Sequence, residues 1–198
     1  MIIAGLTGSI AMGKSETARL FAAHGIPVFD SDAEVHSIYG KGGAAVPVIE
    51  RAFPTAVAAG MVDRAELSRI VTAAPKALAK LESLVHPLVE KARAEFIDDS
   101  RKNNEKLIIL DIPLLFEMGL DRNVDRVIVV TAPPEVQRQR AMAREGMTSD
   151  KLEAILSRQL PDAEKRARAD FVVDSSLGFN EAAAQVNQIV KQLKRQAR

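Results

Sequence analysis

The chain has 198 residues, of which 47% are hydrophobic and 27% are charged, with 27 basic and 26 acidic side chains and a net charge of +1. This length fits one domain with inserted subdomains, and the balanced charge argues against a dedicated nucleic-acid or membrane-surface protein, which would carry a basic excess. The absence of cysteine excludes disulfides, thiol nucleophiles and thiol metal sites. No apolar run approaches the length of a membrane span, and the first residues predict a strand, not a signal peptide. We therefore expect a cytoplasmic protein that binds neither nucleic acid nor membrane.

A phosphate-binding loop is predicted near the start of the chain. The apolar run Ile2 to Leu6 is typical of a buried strand, and residues 8–15, Gly-Ser-Ile-Ala-Met-Gly-Lys-Ser, fit the pattern G-x-x-x-x-G-K-[ST]. The two glycines let the backbone curl so that successive N–H groups point at phosphate oxygens. In such a loop Lys14 reaches the β- and γ-phosphates, and the Ser15 hydroxyl is a ligand for Mg²⁺. The alternative is a chance glycine-rich turn, but strand, loop and helix signals occur in the required order.

A second predicted strand, Ile26 to Phe29, ends at Asp30-Ser31-Asp32. Parallel sheets bind their ligands at the carboxyl ends of the strands, so these carboxylates are candidate functional groups. The alternative is a structural role, because Ser31 or Asp32 is a suitable N-cap for a helix that begins at Ala33. The two roles are compatible.

From residue 33 to 104 the pattern is helical and irregular. Pro47 suits the first turn of a short helix, and Asp63 begins another. A longer helix is predicted from Pro75, and His86-Pro87 is expected to kink it or to start a new helix. A lone histidine is more often structural than a ligand. The block is too long for a simple crossover between strands, so we interpret it as an insertion that covers a substrate.

The continuous apolar run Leu107 to Leu110 predicts a buried strand that ends in Asp111. In nucleotide-binding sheets a carboxylate at this position holds Mg²⁺ through water, opposite the serine of the loop. Glu117 follows shortly afterwards and is a second candidate polar group at the cleft. Further strands are predicted at Arg126 to Val130 and at Phe171 to Asp174.

The segment between these last two strands predicts a helical lid over residues 135–169. Its first helix carries Gln137, Arg140 and Arg144 at spacings of three and four, which places them on one face. The many charges of this segment, Lys165 among them, are ordinary solvated surface in one interpretation. In the other, the arginines meet ATP phosphates when the lid closes.

Alternating strands and helices predict an α/β fold, which we describe as a P-loop kinase-like five-stranded parallel sheet with helices on both faces, a helical acceptor-binding insertion and a helical lid. The predicted nucleotide-binding core consists of residues 1–32, 105–134 and 170–198, the insertion of 33–104 and the lid of 135–169. The insertions favour a small-molecule kinase. A switch GTPase is disfavoured because the sequence has no N/T-K-x-D segment.

Over nearly its full length the sequence resembles the dephospho-coenzyme A kinase family. The similar segments are Gly5 to Ser15, Asp30-Ser31-Asp32, Val62-Asp63-Arg64, His86-Pro87-Leu88-Val89, Asp111 to Glu117, and Gln137 and Arg140 with Arg158 and Gln159. The His-Pro and Asp-Ile-Pro-Leu-Leu-Phe-Glu segments discriminate far better than the phosphate-binding loop alone. The chain departs from the family pattern at Ala11, where family members usually carry glycine, and also at Ser9, Met12, Glu16 and His36.

The resemblance implies transfer of the γ-phosphoryl group of ATP to the ribose 3′-hydroxyl of dephospho-CoA, the last step of coenzyme A biosynthesis, with Mg²⁺ as cofactor. Motif and resemblance together assign catalysis to Asp32, Lys14 and Arg140. They assign ATP binding to Gly8, Ala11, Met12, Gly13, Lys14, Ser15, Glu16, Arg140 and Arg144, acceptor binding to Asp32, His86, Leu115 and Glu117, and the metal to Ser15 and Asp111. We expect a monomer whose partners are ATP and dephospho-CoA. The alternatives are another P-loop small-molecule kinase with a different acceptor, and a nucleotide-gated binding protein without turnover.

Overall fold

The computed structural model describes residues 1–197. Its strands are β1 (Ile2–Thr7), β2 (Val28–Asp30), β3 (Val57–Ala58), β4 (Met61–Val62), β5 (Leu107–Asp111), β6 (Arg126–Thr131) and β7 (Phe171–Asp174). Its α-helices are α1 (Lys14–Ala23), α2 (Ser31–Tyr39), α3 (Val46–Ala52), α4 (Arg64–Ala73), α5 (Pro75–Lys102), α6 (Pro134–Met142), α7 (Ser149–Leu156), α8 (Asp162–Ala167) and α9 (Phe179–Gln196). None of the helices within residues 1–197 is long and apolar enough to cross a membrane.

Five strands form one sheet in the order β2-β5-β1-β6-β7, with β1 at its centre. Strand β1 pairs in parallel with both β5 and β6, and β6 pairs in parallel with β7. All five residues of β5 are buried, as expected for an apolar strand covered on both faces. The predicted α/β fold with a five-stranded parallel sheet is therefore confirmed.

The core of the sheet is closed by α1 and α9. Both helices carry apolar residues at helical spacing, and those residues pack with side chains of β1, β5, β6 and β7 in one buried cluster. Phe21 of α1 and Val186 and Leu193 of α9 are fully buried in it. The apolar stripe that predicted α9 thus faces the sheet.

The chain divides into two compact units, Met1–Phe29 with Ser100–Arg198, and Asp30–Asp99. The second unit has a core of its own, to which Ile49 of α3, Leu67 of α4 and Val85 of α5 contribute. The predicted insertion, 33–104, differs from the second unit by a few residues, and the predicted lid, 135–169, is not separated from the first unit. The predicted division into core, insertion and lid stays a prediction.

The structure corrects two expectations for the second unit. Of the kink or new helix start expected at His86-Pro87, the new start is wrong, because α5 runs from Pro75 to Lys102 with Pro87 inside it, and the kink stays a prediction. The block is also not wholly helical, since β3 and β4 pair as an antiparallel hairpin. Ala59 and Gly60 at its turn both have positive φ, 50° and 74°, as a two-residue hairpin turn requires.

Candidate active site

The phosphate-binding loop lies between β1 and α1, as its sequence pattern requires. It contains two residues in the left-handed region of backbone space, Gly13 with φ of 91° and Ala11 with φ of 62°. For a residue with a Cβ atom, a backbone conformation in this region costs about 1–2 kcal/mol of conformational energy. Glycine has no Cβ atom and avoids this cost. The methyl group of Ala11 packs against Ala141 and Leu152, and this contact partly offsets the cost.

Gly8 opens the loop under a second constraint. A Cβ atom at this position would lie 2.6 Å from the backbone oxygen of Val130 in β6. The loop therefore leaves β1 in direct contact with the neighbouring strand, and only glycine fits there.

Lys14 and Asp111 meet at the carboxyl ends of two adjacent strands. Asp111 is the last residue of β5 and stands in register with Leu6 of β1, so it is placed beside the loop that follows β1. Lys14 Nζ lies 2.5 Å from Asp111 Oδ1, and the two side chains are 14% and 1% exposed. The structure thus brings together the lysine predicted to bind phosphate and the carboxylate predicted to bind metal.

The two residues predicted to bind metal have oxygen donors that suit Mg²⁺. Ser15 lies in the first turn of α1 and offers a hydroxyl oxygen, and Asp111 offers a carboxylate. Within residues 1–197 no group of three or more His, Cys, Asp or Glu side chains could hold a metal ion by itself. Mg²⁺ is usually held by one or two protein oxygens together with substrate phosphates and water, and these two donors fit that pattern.

The segment from α6 to α8 is attached to the loop at Ile10. Gln137 of α6 is buried and donates from Nε2 to the Ile10 carbonyl oxygen at 2.9 Å. Gln159, which follows α7, accepts the Ile10 N–H at 3.0 Å. Both hydrogen-bonding groups of the Ile10 peptide are therefore held by the segment predicted as a lid.

The two arginines of α6 point in different directions. Arg140 donates from Nη1 and Nη2 to the hydroxyl and the backbone oxygen of Ser175, at 2.7 and 2.9 Å. Arg138 donates to Ser149 at the start of α7. The prediction that Arg144 shares the face of α6 with Arg140 is wrong, because α6 ends at Met142 and Arg144 lies exposed beyond it.

Lys165 is fully buried, contrary to its interpretation as solvated surface. Its Nζ lies 2.8 Å from Glu117 Oε1, which also accepts the Leu160 N–H at 2.8 Å. Burial raises the pKa of Glu117, but the hydrogen bonds from Lys165 and from backbone N–H groups, with the Lys165 charge, outweigh it and hold this pKa below its ordinary value. The carboxylate is thus ionised and engaged with α8.

Leu115, also predicted at the acceptor, is fully buried, and a Cβ atom on Gly5 would lie 3.0 Å from it.

In the second unit, Asp30 and Asp32 have different environments. Asp30 is the N-cap of α2, and its Oδ1 accepts the N–H groups of Asp32 and Ala33 at 2.9 and 3.0 Å. The alternative in which Ser31 or Asp32 caps this helix is therefore wrong, since α2 already begins at Ser31. Asp32 lies in the first helical turn with its side chain exposed.

Two histidines of this unit are exposed. His86 lies in the middle of α5. His36, where the resemblance led us to expect arginine, lies beside an arginine, because Arg64 Nη1 is 2.8 and 2.9 Å from its two ring nitrogens.

Sequence reasoning missed Ser175 and the Lys165–Glu117 pair. Ser175 follows β7 and contacts the loop from 163 residues away in the chain, and a serine after a strand is not a signal for such a contact. Lys165 stands among other charged residues, and nothing local distinguishes the one that is buried.

Taken together, these features define a class of protein. A parallel sheet with β1 at its centre, a G-x-x-x-x-G-K-S loop leading into α1, and a carboxylate at the end of β5 beside the loop lysine constitute a P-loop phosphotransferase. The helical additions favour a small-molecule kinase of this class.

Comparisons with known proteins identify the family. The model of the dephospho-CoA kinase family matches residues 2–181. A dephospho-CoA kinase of Rhodopseudomonas palustris is 52% identical over 191 residues, which cover 96% of this chain and 95% of that protein. The chain belongs to the dephospho-CoA kinase family. The predicted family and the predicted enzyme class, a kinase that acts in the last step of coenzyme A biosynthesis, are thereby confirmed.

Solved structures share the fold of this chain. A crystal structure of the protein TT1252 from Thermus thermophilus has a TM-score of 0.82 and 35% sequence identity, with 96% of each chain covered. Dephospho-CoA kinase from Campylobacter jejuni has a TM-score of 0.69 and 23% identity, again with 96% of each chain covered, and it supports the fold alone.

Proposed function

We propose that this chain transfers the γ-phosphoryl group of ATP to the ribose 3′-hydroxyl of dephospho-CoA and releases CoA and ADP. The observation that carries the proposal is the Lys14–Asp111 pair at the phosphate-binding loop, in a chain that belongs to the dephospho-CoA kinase family. Cytoplasmic location and action as a monomer stay predictions from the sequence.

ATP binds at the loop through its phosphates. Backbone N–H groups from Gly8, Ala11 and Gly13 onward surround the β-phosphate, and the N-terminus of α1 adds its dipole. Met12 shapes the loop, because its N–H donates to the Ser9 carbonyl oxygen at 3.2 Å. Lys14 supplies a positive charge that neutralises the β- and γ-phosphates. Glu16 lies in the first turn of α1 but is exposed and paired with Arg19, so we assign it to the rim of this site.

Ser15 and Asp111 would hold Mg²⁺ in this proposal. When bound, the ion would supply Lewis-acid neutralisation of the phosphate oxygens. Asp111 has two roles, because its carboxylate also anchors the Lys14 ammonium. That contact orders the Lys14 side chain before ATP binds. Binding of ATP therefore costs less side-chain conformational entropy.

Chemistry at the acceptor requires the 3′-hydroxyl to lose a proton. Asp32 orients the hydroxyl and accepts this proton, while the bond from the γ-phosphorus to the bridging oxygen breaks and a new bond to the 3′-oxygen forms. ADP leaves with the electron pair of the broken bond. Arg140 balances the charge on the transferring group, and Arg144 is a further contact for the ATP phosphates.

The acceptor also meets residues on other elements. We assign contacts with dephospho-CoA to His86, Leu115 and Glu117 from the family resemblance. Glu117 contributes indirectly, since its carboxylate is already engaged with Lys165 and the Leu160 N–H. The side chain of Leu115 is fully buried, so in this proposal it supports the acceptor site by packing beneath it and not by direct contact.

An ADP-release assay across acceptors tests the proposal. ATP and Mg²⁺ are supplied with dephospho-CoA, with CoA, whose 3′-position is already phosphorylated, with adenosine, or with no acceptor. ADP should form at a high rate with dephospho-CoA only, and CoA should appear in equal amount. Faster turnover of an unrelated acceptor would support another small-molecule kinase, and ATP binding without ADP release under any condition would support a nucleotide-gated binding protein.

A further inference from the structure

Ser175 is held at the carboxyl ends of two strands. It follows β7, and its backbone N–H donates to the Thr131 carbonyl oxygen at the end of β6 at 2.9 Å. This bond extends the parallel β6–β7 ladder, in which Thr131 pairs with Asp174, by one residue. The position of Ser175 is therefore set by the sheet, and its side chain lies on the same edge of the sheet as the phosphate-binding loop.

The hydroxyl of Ser175 connects Arg140 to the loop. A hydroxyl has one proton to donate and two lone pairs. Arg140 Nη1 donates to Ser175 Oγ at 2.7 Å, and Ser175 Oγ donates to the Met12 carbonyl oxygen at 2.7 Å, with the Thr131 carbonyl farther away at 3.2 Å. The direction is thus fixed, from the guanidinium through the hydroxyl to the carbonyl oxygen of Met12.

The contact with the loop is close enough to exclude a side chain at Gly13. A Cβ atom there would lie 3.0 Å from both Cβ and Oγ of Ser175 and 3.7 Å from Arg140 Nη1. Arg140 is therefore held beside the peptide that precedes Lys14. Its second bond, from Nη2 to the Ser175 carbonyl oxygen at 2.9 Å, fixes the plane of the guanidinium.

We propose that Ser175 is a positioning residue for phosphoryl transfer, which holds the Arg140 guanidinium beside Gly13 of the phosphate-binding loop. This inference rests on the function proposed above for Arg140. The two bonds to Ser175 use two of the five N–H donors of the guanidinium, so three donors and the full charge are left for the transferring group. Positioning matters here because phosphoryl transfer depends on the placement of charge more than on covalent chemistry.

The test compares S175A with S176A in steady-state kinetics. Ser176 is the matched control, since its hydroxyl donates to Asp174 and makes no contact with Arg140. S175A should lower kcat about ten- to a hundredfold, the loss typical of a misplaced catalytic group. The KM for dephospho-CoA should stay within about twofold, because the bond acts on the transition state and not on acceptor binding. S176A should match the wild type in both parameters.

A double-mutant cycle separates positioning from general structure. If Ser175 acts through Arg140, R140A/S175A should be no slower than R140A alone. Additive losses, or an S175A variant as active as S176A, would overturn the inference while leaving the proposed function intact. A wild-type chain without turnover on dephospho-CoA would overturn the proposed function, and the inference with it. Thermal unfolding monitors the fold, and if S175A is not folded, S175C, which offers only a weak acceptor, replaces it in the same cycle.

Discussion

Replacing Lys165 by methionine removes one charge of a buried pair and leaves the other behind. Lys165 is fully buried on α8, and its partner Glu117 is 16% exposed. Two unit charges 2.8 Å apart attract each other by about 6 kcal/mol at an effective dielectric constant of about 20. Desolvation of the ammonium and the carboxylate costs several kcal/mol per ion. The net contribution of the pair is therefore small, but removal of one member is costly because the other stays desolvated.

We expect K165M to lower the free energy of unfolding by about 3 kcal/mol, the lower end of the range for broken buried pairs. The lower end applies because Glu117 keeps the Leu160 N–H and some contact with solvent. The double variant K165M/E117Q removes both charges and should return to within about 1 kcal/mol of the wild type. R166M is the matched control on the same helix, since the side chain of Arg166 is 50% exposed in its pair with Asp162 and such pairs contribute about 0–1 kcal/mol.

Urea denaturation at several pH values measures these differences. The folded-state pKa of Glu117 is lowered, so this carboxylate contributes stability above its unfolded pKa and loses that contribution as pH falls through the folded pKa. The gap between the wild type and K165M should therefore shrink as pH falls from about 7 to below about 4. A K165M variant as stable as R166M at neutral pH would refute the reasoning, as would a double variant as unstable as K165M.

Two further substitutions test the phosphate-binding loop. K14A should lower kcat by about three orders of magnitude or more. The unfolding free energy measured in urea should fall by about 1–3 kcal/mol, because the buried Asp111 loses its ammonium partner. Unchanged ADP release would contradict the assignment of the loop. G8A should lower kcat/KM for ATP at least about tenfold, because its methyl group would meet the Val130 carbonyl oxygen and shift the loop. G25A is its control, since its methyl group meets nothing within 4 Å. This variant should lose about 1 kcal/mol of stability because its φ is positive, and its KM for ATP should not change.

The strands of the large sheet could be predicted because their signals are local. Strand β5 is a continuous apolar run that is buried at every residue, and the apolar stripe of α9 has the helical period. Gly8 and Gly13 could also be predicted, since the loop pattern states where the backbone must curl. In each case the physical cause lies within a few residues of its effect.

The remaining features depend on tertiary context. Pro87 is exposed on α5, so the carbonyl group that loses its helical donor can be hydrated and the helix continues. The β3–β4 hairpin has strands of two residues, too short for any period to appear. Lys165 and Glu117 are 48 residues apart, and no spacing rule joins them. The sequence therefore predicts elements well, but not the long-range polar contacts that hold the proposed lid and the loop together.

The roles of the two aspartates at the start of α2 can be separated by matched substitutions. Asp30 caps the helix through Oδ1, which accepts two backbone N–H groups, and asparagine performs this role equally well. D30N should therefore keep its stability and nearly normal turnover, whereas D30A should lose about 1 kcal/mol. The side chain of Asp32 is exposed in the first turn, and D32N keeps its size while it removes the charge and most of the proton affinity.

General-base assistance is typically worth about a hundred- to ten-thousandfold, so D32N should lose kcat in this range while dephospho-CoA still binds. Losses near the lower end still fit, because in a loose transition state the acceptor proton leaves late. Steady-state kinetics on both asparagine variants, with acceptor binding measured separately by calorimetry, distinguish the outcomes. If D30N loses catalysis and D32N does not, the base is misassigned. If D32N loses only acceptor binding, Asp32 positions the substrate and the general-base role fails.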